Sequence, residues 1–328
     1  MAERASIFQT VQVGVQSVAG TGVASNKKLQ ALSIAPAVNA ETSAFRAAGN
    51  KFPALVVPQK EYVTASLSGA ITFTELIYPL ASLVNFASPT LLGTTAYRWV
   101  FSSDTDGPDT VKLFTVEQGS SVRAHKFIDA AVKALEMTFS RAGCEISGGE
   151  IIGAALQDAI TMTAGATAIA LVPVLPTQVD VFMEDDQADL DTGAALARVL
   201  SVSWGLSDRF GPVFPLATAS GTGYAATVET EPKLAVKLLM EADAAGMALL
   251  ATLRAGATKF LRIKATGDNI ETTYDYDLEI DTAVKVESVS EFRDEDGIFA
   301  IEWTFVGVHD ATWGKAFNIE LVNTLSAL

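Results

Sequence analysis

Histidine and cysteine are almost absent from this 328-residue chain, which holds only His125, His309 and Cys144. Acid–base, nucleophilic and metal chemistry draw heavily on these residue types, and neither histidine has a partner at useful spacing. No G-x-S-x-G, H-E-x-x-H, phosphate-loop or dinucleotide fingerprint occurs. No catalytic, cofactor-binding or metal-ligating residues are therefore expected, and the chain does not read as an enzyme. A single cysteine excludes an intramolecular disulfide, and Cys144, at a hairpin turn without flanking cations, is expected to be an unreactive thiol. Basic residues are also short, 23 against 38 acidic, and the net charge of −15 argues against tight binding to nucleic-acid phosphates. The N-terminus carries no apolar run of signal-peptide length. The uncharged stretch from Ala159 to Val179 contains Pro173 and Pro176, which break a helix, so it reads as a connector rather than a membrane span. The acidic run from Asp104 to Asp109 misses the twelve-residue calcium loop and reads as a solvated turn. The run from Glu184 to Asp191 misses it too and reads as a flexible segment. Gly221-Thr222-Gly223 has no helix start with Lys and Ser/Thr behind it and reads as plain loop.

What the chain has in excess is apolar side chains: 49% of residues are hydrophobic and the mean hydropathy is +0.29 despite the charge. A large subunit interface or a membrane would absorb that surplus. The pattern I-D-x-A-V-K occurs twice, at Ile128 to Lys133 and at Ile280 to Lys285. Each copy leads into a strand, a turn ending in Gly143 or Gly297, and a return strand closing on Gly153 or Gly307, a β-hairpin written twice. Flanking marks agree: Leu32-Ser33-Ile34 is echoed by Leu200-Ser201-Val202, and Tyr97 to Phe101 by Phe260 to Ile263. Each half also carries a short helical pattern, Glu75 to Phe86 with Leu76, Leu80 and Leu83 on one face, and Ala244 to Leu253 with Met247, Leu250 and Leu253. Two long Gly/Pro-bearing stretches, Ala40 to Lys60 and Phe210 to Lys233, read as equivalent loops with equivalent contacts.

With Val13-Gly14-Val15-Gln16, Gly20-Thr21, Leu29-Gln30, the strand-to-helix run from Tyr62 to Leu83 and the paired hairpins, the chain resembles the tail tube proteins of long-tailed bacteriophages. Within that family the resemblance is to the type whose subunit carries the tube domain twice, and it covers the chain from about Val11 to Leu325. The resemblance implies a mainly β fold of two tandem tail-tube-type β-sandwich domains, each with one flanking α-helix. The first would span residues 1–157, a connector 158–178, and the second 179–328. It further implies homotrimeric, pseudo-hexameric rings stacked into a virion tube through which DNA passes, made in the host cytoplasm and without membrane contact. Tail terminator, tail tip and tape measure proteins would be its partners. Longer relatives carry an immunoglobulin-like domain that is not seen here, so no outer decoration is expected. Within this frame strand alternation places Glu136, Glu150 and Glu302 as lumen-facing candidates in an acidic channel wall. The two long loops supply Phe45, Phe52, Phe214 and Tyr224 as inter-ring candidates. The competing reading is a β-rich, for example carbohydrate-binding, module in which Trp99, Trp204, Trp303 and Trp313 form an exposed platform.

Overall fold

The computed structural model describes residues 6–120, 122–216, 223–224 and 226–328. Its strands are β1 (Thr10–Val15), β2 (Lys27–Leu29), β3 (Leu32–Phe45), β4 (Leu55–Ala70), β5 (Asn85–Phe86), β6 (Thr90–Leu91), β7 (Tyr97–Ser102), β8 (Phe114–Gly119), β9 (Ala124–Ser140), β10 (Gly143–Gly153), β11 (Gln157–Ile160) and β12 (Thr167–Ala168). They continue as β13 (Val179–Glu184), β14 (Val199–Ser207), β15 (Phe210–Val213), β16 (Ala226–Glu229), β17 (Lys233–Glu241), β18 (Thr258–Glu271), β19 (Tyr274–Val289), β20 (Arg293–Glu295), β21 (Ile298–Gly307) and β22 (Phe317–Asn323). Two helices interrupt them, α1 (Ile77–Leu83) and α2 (Ala244–Ala255). The fold is mainly β.

Strands β3, β4, β10 and β9 pair side by side in that order, and β14, β17, β21 and β19 do the same. The two sets share register as well as order. Ile34 opposes Leu67 as Val202 opposes Leu238, and Ile151 opposes Ala65 as Phe305 opposes Val236. Counterparts therefore lie 168 residues apart on β3 and β14, 171 apart on β4 and β17, and 154 apart on β10 and β21. On β9 and β19 they lie 154 apart, since Ile151 opposes Val132 as Phe305 opposes Val286, so the repeated hexapeptide, whose copies are 152 apart, sits two residues out of this register. Because β9 also pairs with β14, Phe139 opposite Val202, the two sets join in one continuous run of eight strands. On its inner face Ile34, Leu67, Met137, Trp204, Leu238 and Phe305 are buried in one continuous core with Val13, Phe114 and α1. Side chains alternate across a strand, so Ala134, Glu136 and Thr138 emerge on the other face of β9 while Leu135, Met137 and Phe139 are buried.

Several sequence expectations change. The helix expected from Glu75 to Phe86 shortens to α1, and all seven of its residues are buried rather than one stripe. Glu75 is not helical. It is buried, and its carboxylate accepts backbone N–H groups of Gln30 (2.6 Å), Ala31 (3.0 Å) and Leu32 (3.2 Å), closing the turn into β3. Burial raises its pKa despite those bonds. The second helix matches its pattern and gains sharp ends: Asp243 caps the Gly246 N–H at 2.9 Å, and Gly256 ends it at φ 62°. The presumed loop from Ala40 to Lys60 is largely hairpin, with Phe45 opposite Leu55. Both faces of that tip meet solvent, so no period-2 hydrophobic signal marked it as strand. The stretch from Phe210 to Lys233 also holds a hairpin, β15 with β16. Of Gly221-Thr222-Gly223 only Gly223 lies among the described residues. Residues 158–178, read as a connector, pack on the first half, where β11 pairs with β9 and β12 with β2. The acidic segment after β13 is a 3₁₀ turn with Leu190 buried. Finally, the counterpart of β18 is β8: Val13 pairs with Val116 as Val181 pairs with Ile263. Strand β7, expected in that role, instead pairs with β22 of the second half, so Tyr97–Ser102 belongs to an insertion that crosses between the halves.

Strands β18 and β19 carry a charged ladder in which Asp277 lies 3.7 Å from Lys264 and accepts the Thr266 hydroxyl at 3.0 Å. Burial, reinforced by Glu279, pushes the Asp277 carboxyl up to about 6. A carboxyl whose pKa rises on folding favours the folded state when protonated, so this group withdraws stability as the pH climbs from about 4 to about 6. Asp277→Asn is expected to match the parent near pH 4 and to exceed it by about 2 kcal/mol at pH 7. Urea midpoints at both pH values would check this, and a pH-independent difference would refute it.

Candidate assembly interface

The junction between the two halves shows how this sheet adds to itself. Ser201 to Leu206 of β14 run antiparallel to Ser140 to Leu135 of β9. Asp208, at φ 57°, then turns the chain so that β15 leaves the sheet and lies across the first half. There Phe210 is buried with Ala131 and Ile152, and Phe214 meets Tyr62 edge-on at 5.9 Å. Arg209, only 3% exposed, pairs with Asp109, 1% exposed, and its Nε donates to the Leu83 carbonyl at 2.9 Å. The Tyr224 hydroxyl donates to the Asp129 carbonyl at 2.6 Å. Asp129 itself holds a left-handed backbone, φ 54°, and its carboxylate accepts the Gly20 N–H at 2.7 Å.

At its two ends the same sheet is open. Among the described residues β3 pairs only with β4, and β19 has no partner beyond Lys285 on the side away from β21. The tips beside these edges expose apolar side chains. Phe45 is 56% and Phe52 71% exposed with Leu55 and Val56 beside them, and Phe292 and Phe299 project from the β20–β21 end. Unpaired strand edges flanked by apolar surface are templates for pairing with another chain.

The inter-ring candidates thus separate. Phe45 and Phe52 are exposed on the β3–β4 tip, Phe214 is half-buried against Tyr62, and Tyr224 is buried inside the chain and offers no free surface. Glu136, Glu150 and Glu302 share the solvent face of the eight-stranded sheet. Glu136 is exposed opposite Gly205, over a concave groove of about 490 Å³ lined also by Gly148, Ser203 and Lys237. Glu150 pairs with Lys133 at 3.0 Å and Glu302 lies 3.5 Å from Arg293. The acidic wall foreseen from sequence is therefore a mixed face of hydroxyls, glycines and charges of both signs. On it Glu136, Glu150 and Glu302 stand among Lys133, Lys237 and Arg293.

The aromatic platform does not form. Trp99, Trp204 and Trp303 are fully buried in the core, and Trp313 is half-buried against Phe260. Asp109 is also no solvated turn residue, since it anchors Arg209 across 100 residues of sequence, a pairing that no local pattern reveals. The buried Cys144 thiol is pushed up to about 11 by burial. Among the described residues no three His, Cys, Asp or Glu side chains come together as a metal site, and no helix is long and apolar enough to cross a membrane.

No protein-family profile matches the chain, and no curated protein matches it. Among solved structures it is similar to the SPP1 tail tube, determined by solid-state NMR and cryo EM. The identity is 14% and the TM-score 0.31, over 47% of this chain and 80% of that one.

Proposed function

We propose that the chain is a structural subunit that closes into rings and stacks as a phage tail tube, and that it is not a catalyst. The observation carrying this reading is the eight-stranded sheet: two sets of four strands with one order and one register, already joined edge to edge, and ending in two open edges. Repeating the same junction between chains leaves no edge exposed once the sheet closes, which removes the hazard that an open sheet presents. The halves are read as a duplicated tube domain, residues 1–157 and 179–328. Three chains then present six equivalent halves around a pseudo-sixfold ring. The face bearing Glu136, Glu150 and Glu302 lines the lumen, and DNA passes a wall of small polar groups. The exposed Phe45 and Phe52 meet the next ring. Terminator, tip and tape measure proteins would cap and fill such a tube in the virion.

Negative-stain microscopy of purified protein, with mass measurement over a concentration series, tests this. Rings or tubes with a central channel are expected. Monomer alone at high concentration, without rings or tubes, would overturn the reading.

A further inference from the structure

We infer that the contact between two copies of this chain repeats, residue for residue, the contact between its own two halves: the β19 edge of one copy pairs with the β3 edge of the next. This rests on the ring-forming reading above and adds the strands, the register and the receiving groove.

The internal junction is the template. Glu136 of β9 opposes Gly205 of β14. The counterpart of Glu136 is Ser290, at the end of β19, and the counterpart of Gly205 on β3 is Ala37, by the offsets that the shared registers establish. The inferred pairs are thus Ser288 with Asn39, Val289 with Val38, Ser290 with Ala37 and Glu291 with Pro36. These stretches are the ones without an outer partner among the described residues, and Ala37 and Ser290 are both exposed on the solvent face. Pro36, at the position of Trp204, costs one ladder donor without altering the register.

A groove beside each junction supports the same placement. In the first half, Tyr62, Thr64 and Ile152 line a groove of about 590 Å³ occupied at one side by Phe210, Gly211 and Pro212. In the second half the counterparts Lys233, Ala235 and Val306 line a groove of about 570 Å³ that no such strand enters among the described residues. Ile152, under Phe210, is 2% exposed, whereas Val306 is 40% exposed. The residues standing where Phe210, Gly211 and Pro212 stand are Thr42, Ser43 and Ala44 of the β3–β4 tip, and they match in register: Thr42 opposes Pro58 as Phe210 opposes Glu229. A second copy is the occupant that fits, because it brings the β3 edge and this tip together in the geometry already realised inside the chain.

Disulfide trapping tests the register. Directly opposed residues on antiparallel strands have Cα atoms about 4.5–5.5 Å apart, within disulfide reach, whereas a partner two residues off lies about 7–8 Å away. The buried Cys144 is the chain's own thiol and does not compete. The double variant S290C/A37C, assembled and treated with oxidised glutathione to accept the two thiol electrons, is expected to give covalent multimers ending at trimer. It should cross-link about tenfold more than S290C/A35C. Mixing separately purified S290C and A37C chains should give a cross-linked dimer, whereas neither alone does, and these single variants also report folding. If wild-type and variant chains form rings or tubes but S290C/A37C cross-links no better than S290C/A35C, the register is wrong and the ring reading stands. If the wild-type chain forms neither, the ring reading fails and this inference with it.

Discussion

Replacing Arg209 by alanine is expected to destabilise the chain by about 3–5 kcal/mol, one of the two largest single-residue losses anticipated. Arg209 and Asp109 are both out of water, and among the described residues the Asp109 carboxylate otherwise meets only the Ser103 hydroxyl at 2.8 Å and the Asp104 N–H at 2.6 Å. Removing the guanidinium leaves that charge buried without a cation and strips the Leu83 carbonyl of its 2.9 Å donor. The loss arises from the orphaned groups rather than from the intrinsic worth of the pair, because desolvating two ions consumes much of their attraction. Arg209→Ala combined with Asp109→Asn should therefore recover part of the loss, and a double-mutant cycle on urea midpoints would measure it. A loss below about 1 kcal/mol would mean that water reaches the pair, as it does for surface ion pairs.

Trp204→Ala should cost a similar amount, about 3–5 kcal/mol, for a different reason. Trp204 is fully buried at the centre of the eight-stranded sheet, edge-on to Phe317 at 5.5 Å, and its indole N–H donates to the Thr282 hydroxyl at 3.1 Å. Alanine leaves a cavity walled by β-sheet, which cannot collapse without breaking ladder bonds. Trp204→Phe restores most of the packing and loses the one hydrogen bond, so a loss of about 1–2 kcal/mol is expected. Equal losses for both substitutions would show that the hydrogen bond, and not the filled volume, dominates.

Strand pairs with one buried face were legible in the sequence. Leu135, Met137 and Phe139 against Ala134, Glu136 and Thr138 gave β9, and the twice-written hexapeptide located β19 to within two residues of its structural register. The helix beginning at Ala244 was legible for the same reason. The β3–β4 tip was not, because a strand wet on both faces has no periodicity to read. Nor was the cross-chain role of β7, since pairing between Trp99 and Leu321 depends on where two distant segments meet. The candidate interface was half visible. Exposed Phe45 and Phe52 follow from a polar, Gly/Pro-bearing context, whereas the burial of Tyr224 and of the Arg209–Asp109 pair comes from docking β15 and β16 on the other half.

The Arg209–Asp109 pair has no match at the outer edges. Glu41 stands where Arg209 stands, and a short connection from α2 to β18 replaces the segment that supplies Asp109. The two kinds of seam in a closed ring would therefore share a register and differ in strength. The inner one would be covalently tethered and ionically locked, and the outer one held by ladder and tip alone. Under mechanical load such a ring would part at every second seam, shedding whole subunits rather than fraying into halves.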